Sequence, residues 1–143
     1  MTFKALLLSV AMLSPEQIRE DESLLARIMY HEARGEGYSG MIAVGIVIKN
    51  RVMSDRFPNT IREVIKQPHQ FEPVSRGLLN HKPVEHDAWD MARQAAKDVL
   101  QSDSVEMMDG ALFFHSTSIS PSWDMQQLSH VTDINEHRFY AYK

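Results

Sequence analysis

Residues 41–48 constrain this chain most. Met41, Ile42, Val44, Ile46, Val47 and Ile48 surround Ala43 and Gly45, so the stretch is apolar almost all round. A segment with no polar face has to be covered on every side by the rest of the chain. The β-branched residues would suit a strand. A run from a Ser39 cap to about Val52 is long for one, however, and predicts a central buried helix. Gly45 in its middle predicts close approach of another backbone. With 143 residues, the chain has the size of one ordinary domain and can surround such a helix.

The flanking segments predict more helices and then a sheet. Ser14-Pro15-Glu16-Gln17 carries an N-cap, a proline at the first helical position and a glutamine at the third. Leu24, Leu25, Ile28 and Met29 make one apolar stripe over a helix at 22–33, continuous with that start or separate from it, and Gly35 is placed to end it. Thr60 and Glu63 form a capping box for a short helix over 61–66. Ala88, Met91, Ala92, Ala95, Ala96 and Val99 share one face of an amphipathic helix over 84–101. After Gly110 the character changes. Residues 111–115 read as a strand, and 131–134 and 138–142 as two more joined through Asn135-Glu136. Helices first and a small antiparallel sheet last make an α+β domain. Residues 1–21 are assigned to an N-terminal segment and 22–143 to the core of a single catalytic domain. Lys4 and the apolar residues 5–13 have the outline of a signal peptide, but small residues do not fall in a cleavage pattern, and a packed segment is the preferred reading. The run is too short to span a membrane.

Composition removes several classes of function. Hydrophobic residues make up 43% and charged residues 24%, values of a globular chain. The net charge of -4, without a basic run, excludes the footprint of a nucleic-acid binder. The same balance argues that an anionic polymer would be held by contacts in a groove and not by long-range attraction. The absence of cysteine excludes disulfides, thiolate catalysis and Cys-ligated zinc. Phosphate-binding glycine loops and a G-x-S-x-G elbow are absent as well. His31-Glu32 resembles the start of a zinc-protease motif, but Gly35 stands where the second histidine belongs. No cofactor and no metal are expected.

Glu32 is the residue best placed for chemistry. It follows Ile28 by four and Leu25 by seven, which puts its carboxylate at the edge of the buried stripe. Desolvation there, and the negative end of the helix dipole, both favour the protonated form that a general acid needs. A structural ion pair with Arg27 or Arg34 is the competing reading. Glu36, four residues on, offers the second carboxylate that glycosidases use, or else a loop carboxylate binding backbone N–H groups. Tyr30, Gln70, Phe71, Trp123 and Tyr140 are candidates for a sugar groove, where rings stack on aromatic faces; core packing is the alternative for Phe71 and Tyr140.

The run Tyr30-His31-Glu32-Ala33-Arg34-Gly35-Glu36, after Leu24-Leu25-Ala26-Arg27, resembles the signature of the SleB-type cell-wall hydrolases, which include spore-cortex-lytic enzymes and phage lysins. Asn50-Arg51-Val52, Phe57-Pro58, Gln70-Phe71, the segment 110–115 and His137-Arg138-Phe139-Tyr140 follow in that family's order, so the resemblance covers most of the chain from Leu24 to Tyr142. It implies a lysozyme-superfamily α+β fold and cleavage of peptidoglycan as a lytic transglycosylase or muramidase. It also implies Glu32 as catalytic acid, and Glu36 matches a recurrent position of the family. Taken with the groove candidates, the expected substrate-binding residues are Glu36, Tyr30, Gln70, Phe71, His115, Trp123, His137 and Tyr140. His31 departs from the family, which often has a small residue there. Peptidoglycan is the expected partner of a monomer without stable membrane association. A bare catalytic domain without a clear signal fits a phage endolysin, cytoplasmic until release, or a secreted enzyme. The alternatives are a non-catalytic peptidoglycan-binding module and a metal-dependent amidase.

Overall fold

The computed structural model describes residues 13–68, 70–102 and 107–143; most of the apolar N-terminal run therefore lies outside the described residues. Among the described residues, five α-helices precede three strands: α1 (Pro15–Ala33), α2 (Gly37–Met53), α3 (Ile61–Ile65), the single turn α4 (Glu72–Ser75), α5 (His86–Gln101), β1 (Phe113–Ser116), β2 (Leu128–Ile134) and β3 (His137–Tyr142). The result is a mainly helical α+β domain with a three-stranded antiparallel sheet of order β1-β3-β2.

Helix α1 starts where its cap dictates. The Ser14 hydroxyl accepts from the Gln17 N–H at 3.2 Å, and the Gln17 side chain accepts from the Ser14 N–H at 3.2 Å. The helix then runs unbroken to Ala33, so the expected boundary between residues 21 and 22 falls inside a single element. Its stripe is buried as the spacing requires, with Leu25, Ile28 and Met29 fully covered. Gly35 follows the helix end without a left-handed backbone. That conformation belongs to Gly37, whose φ of 73° opens α2. Helix α2 therefore begins before Ser39, and Glu36 occupies its N-cap without a side-chain capping bond. Thr60 accepts from the Glu63 N–H as expected, but the Glu63 carboxylate turns to the Thr60 hydroxyl and not to its backbone, so only half of that capping box forms.

Helix α2 is central. One side packs on α1 and α5, where Ala92, Ala95 and Ala96 give a flat surface with no exposure. Met91, expected on that face, is 38% exposed and turns away from it. A Cβ at Gly45 would come 2.2 Å from the Met29 methyl and 3.1 Å from Val99 Cγ2. The close approach at Gly45 is thus made by side chains of two neighbouring helices, where the sequence predicted a backbone. The other side of α2 presents Ala43 and Val47 to Ala111 and Phe139, a second small core that fastens the sheet. The Lys49 ammonium reaches the Val99 carbonyl at 3.0 Å and also bonds the Ser102 carbonyl, satisfying the C-terminal end of α5. In the sheet, Ile134 pairs with His137 across the two-residue loop Asn135-Glu136, and Asn135 takes a φ of 52°, which asparagine tolerates better than most residues. No helix among the described residues is long and apolar enough to cross a membrane.

Ile28 sits at 0% exposure in the larger core, one turn before Glu32. Ile28→Ala should cost about 2–5 kcal/mol by lost transfer energy and residual cavity. A denaturant titration checks this; an unchanged midpoint would mean that the stripe does not carry the helix packing.

Candidate active site

Because α2 touches the other helices on one side and the sheet on the other, a cleft opens between the end of α1 and the sheet. It encloses about 550 Å³ and is lined by His31 and Glu32 of α1, Arg51 of α2, and Gln70, Pro73, Arg76 and Leu78 of the segment that follows α3. Phe113, Phe114, His115 and Ser116 of β1, Ile119 and Trp123 of the next loop, and His137 of β3 form the facing wall. Among the described lining residues, Glu32 is the only carboxyl group.

Arg51 ties the two walls together. It is 3% exposed, yet its Nε donates to the Leu112 carbonyl at 2.7 Å and its Nη1 to Gln70 Oε1 at 3.2 Å. The guanidinium also lies 4.9, 5.3 and 5.5 Å from the ring centres of Phe57, Phe71 and Phe113. Burial pushes its pKa down to about 10, opposed by the charges of Tyr142 and Glu32. It is therefore cationic at neutral pH and within electrostatic reach of Glu32. The neighbouring Asn50 donates to the Ala111 carbonyl at 3.0 Å. Adjacent residues of α2 thus grip the chain entering β1 and hold the sheet wall opposite Glu32. The arginines expected as ion-pair partners of Glu32 have other contacts: Arg34 meets Tyr30 Oη at 3.4 Å and Glu85 at 3.7 Å, and Arg27 donates to the Leu79 carbonyl at 3.4 Å.

The structure brings Glu32, Gln70, His115, Trp123 and His137 together and puts the other expected site residues elsewhere. Tyr30 is 1% exposed; its hydroxyl oxygen accepts from the N–H groups of Val84 and Glu85 at 3.1 and 3.0 Å, fixing the entry to α5. Phe71 and Tyr140 stand behind the cleft wall, Phe71 under Arg51 and Phe114, Tyr140 under His115. His115 Nδ1 lies 2.7 Å from the Ser116 carbonyl, so in the neutral ring that nitrogen carries the proton and Nε2 accepts from Tyr140 Oη at 2.9 Å. With both nitrogens engaged, His115 and the edge-on Trp123 offer ring surface to the cleft.

Glu36 lies outside the cleft lining and joins α2 to the β2–β3 loop. Its Oε2 accepts from the Glu136 N–H at 3.3 Å, its carbonyl accepts from the Asn135 amide at 2.6 Å, and its Oε1 is 3.6 Å from His137 Nδ1. Gly40 leaves the room, since a Cβ there would come 2.3 Å from Glu36 Cβ. The contact with His137 is longer than a hydrogen bond. Burial, opposed by the charge of Glu36, lowers the His137 pKa, so at neutral pH the pair is a neutral imidazole beside a carboxylate. His31 is shifted the same way by burial first and then by the charge of Arg34. The acidic residues on and beside the sheet, Asp124, Asp133 and Glu136, are exposed. Asp133 pairs with Arg138 at 2.9 Å, and Asp124 caps the turn at Gln126. No group of three or more His, Asp or Glu among the described residues is arranged to hold a metal ion.

Sequence reasoning missed Arg51, Arg76 and His31 as cleft residues. For Arg51 a signal existed: a charge at the end of an otherwise apolar, buried helix demands partners.

The fold and cleft define a class, the lysozyme-like α+β domain with a carboxyl-bearing groove between helices and sheet. A family model described as Cell Wall Hydrolase matches residues 35–140, and the chain belongs to that family, in its SleB-type branch. The matched span begins after Glu32. Among curated relatives, the spore cortex-lytic enzyme of Oceanobacillus iheyensis is 32% identical over 85% of this chain, and that of Bacillus subtilis 35% identical over 78%. The chain spans only 41% and 35% of their respective lengths. Two solved structures are similar. The catalytic domain of the Bacillus cereus SleB protein has a TM-score of 0.70 and 33% identity, covering 85% of this chain and 89% of that one. The catalytic domain of the germination-specific lytic transglycosylase SleB from Bacillus anthracis has a TM-score of 0.71 and 30% identity, covering 90% and 97%. The named relatives are bacterial, and the endolysin expectation rests on the sequence reading alone.

The lowered pKa values of His31 and His137 have a consequence for stability. Between their folded values and the ordinary 6.5, the unfolded chain binds more protons than the folded one, so stability falls as pH drops below about 6.5 and is level above it. Denaturant midpoints from pH 8 to 5, with NMR titration of the two imidazoles, check this. Titration of both rings above 6.5 would contradict it.

Proposed function

We propose that the chain cleaves the glycan strand of peptidoglycan as a lytic transglycosylase, with Glu32 acting first as acid and then as base. The observation that carries this reading is the single carboxyl group among the described residues lining the cleft. Hydrolysis with a paired carboxylate needs a second one at a set distance across the sugar. Transglycosylation needs only one. Glu32 gives its proton to the glycosidic oxygen as the bond to C1 breaks. Its carboxylate then accepts the proton of the C6 hydroxyl while O6 bonds C1, which closes a 1,6-anhydro ring without water. The positive charge of Arg51 stabilises the carboxylate between the two steps. His115 and Trp123 supply ring surface for the sugars. The similar Bacillus anthracis domain is a lytic transglycosylase, which supports the same choice. The site of action in this reading is the bacterial cell wall.

Glu32→Gln should leave the circular dichroism spectrum unchanged and lower wall lysis by at least ~100-fold, the lower range of general-acid contributions. A folded variant that lyses walls at the parent rate would remove Glu32 from the mechanism.

Digestion of peptidoglycan in ¹⁸O-labelled water, followed by mass spectrometry, separates the possible outcomes. Unlabelled 1,6-anhydro ends are expected. Label at new reducing ends would make water the acceptor, cut peptide stems would make the chain an amidase, and an undigested wall would make it a binding module.

A further inference from the structure

Glu36 and His137 form a carboxylate–imidazole pair that the mechanism above leaves unused. Glu36 Oε1 lies 3.6 Å from His137 Nδ1, and that nitrogen is buried without a hydrogen-bond partner. Burial lowers the pKa of His137, opposed by the charges of Glu36 and Glu136 and aided by that of His115, so the ring carries one proton at neutral pH. An ionised carboxylate only accepts hydrogen bonds, so the nitrogen facing it holds that proton. Nε2 is then a bare lone pair. It has no hydrogen-bond partner among the described residues, yet it is not fully buried. The side chain is 11% exposed and the ring lines the cleft, so its open edge is the one turned away from Glu36. Phe114 and Phe139 stand nearly perpendicular to the ring, with centres 5.4 and 6.4 Å away, and fix its plane. Neighbouring acceptors in the cleft are committed. His115 uses both nitrogens, Gln70 Oε1 accepts from Arg51, and Ser116 Oγ pairs with Ser118 Oγ. His31 Nε2 also lacks a partner, but that atom is buried. His137 thus presents an acceptor on the wall that faces Glu32.

We propose that His137 is a further substrate-contacting residue of the reaction, its Nε2 accepting a hydrogen bond from a hydroxyl or acetamido N–H of the sugar bound against Glu32, and that Glu36 is the positioning residue that keeps the ring proton on Nδ1. This inference rests on the glycan-cleaving reading of the same cleft and adds two residues to it. No bond is made or broken at His137; Glu32 still moves both protons. Glu36 takes part without entering the cleft, by deciding which ring nitrogen is free to accept.

The test uses the full chain carrying Glu32→Gln, so that binding is read without turnover. The probe is a tetrasaccharide of alternating N-acetylglucosamine and N-acetylmuramic acid methyl ester, which has no titrating group. NMR of ring-¹⁵N histidine should show the Nδ1–H form of His137 in the free protein. Saturation with the probe should lower its pKa further, because the probe binds the unprotonated ring. Affinity, read by tryptophan fluorescence because Trp123 lines the cleft, should fall from pH 7.5 to 5. Adding His137→Asn keeps an N–H toward Glu36 and removes the atom facing the cleft. It should weaken binding about threefold to tenfold at pH 7.5 and flatten the pH profile. His137→Gln, whose amide reaches the place of Nε2, should restore part of the affinity without the pH dependence. Glu36→Gln still accepts from the Glu136 N–H, so the loop stays pinned. Loss of its charge should lower the His137 pKa and weaken binding at pH 7.5. A probe with N-methylated acetamido groups separates the two donors: weaker binding that disappears once His137→Asn is added identifies the N–H, and unchanged binding identifies a hydroxyl. An Nε2–H ring in the free protein, a pKa unmoved by saturation, a pH dependence that survives His137→Asn, or no binding would overturn the proposal. The parent protein, assayed on peptidoglycan, keeps the two readings apart. The His137 effects without glycan cleavage sink the transglycosylase alone; cleavage with kcat and KM unchanged by His137→Asn sinks this inference alone.

Discussion

The buried guanidinium of Arg51 is the interaction on which the site depends. A charge taken out of water is costly unless its donors are satisfied. Here the Leu112 carbonyl, the Gln70 amide oxygen and three phenyl rings meet it from different parts of the chain. Satisfying Arg51 therefore requires α2, the segment after α3 and the start of β1 to be in place together. Asn50 repeats the grip one residue earlier. The wall that faces Glu32 is thus positioned by polar contacts of two adjacent residues on an otherwise apolar helix.

At the β2–β3 loop a second polar junction does related work. Glu36 accepts from the backbone at Glu136, and the Asn135 amide bonds the Glu36 carbonyl, so the hairpin loop is pinned to the start of α2. His137 enters the cleft wall from this junction, held neutral by burial beside a carboxylate. The two glutamates of the Glu-Ala-Arg-Gly-Glu run therefore face different surroundings. Helix α1 ends between them, so Glu32 stays on the helix and borders the cleft, while Glu36 is turned toward the sheet.

Much of this fold was legible in the chain. The caps at Ser14 and Thr60, the stripe ending at Glu32, the central apolar helix and the hairpin at Asn135-Glu136 are local patterns, and each lies where its spacing put it. The errors share one physical cause. Met91 and Ser39 were misjudged because helical phase and cap choice yield to packing of neighbouring elements. Gly45 was read correctly as a close approach, but what approaches it is decided by the rotamers of Met29 and Val99 on other helices. Tyr30, Phe71 and Tyr140 have the composition of a sugar groove. Composition does not tell which side of a wall a ring faces.

By itself the sequence determined the succession of helices and strands, the burial of α2, and Glu32 as a carboxylate at the rim of a core stripe, because each follows from periodicity and capping within a few turns of chain. Only the tertiary structure decided that Glu32 is the single described carboxylate lining the cleft, that Glu36 turns away to the sheet, and that the buried Arg51 reaches the same cleft. Those outcomes depend on which side chains meet across separations of many tens of residues, and no local spacing encodes the direction in which they point.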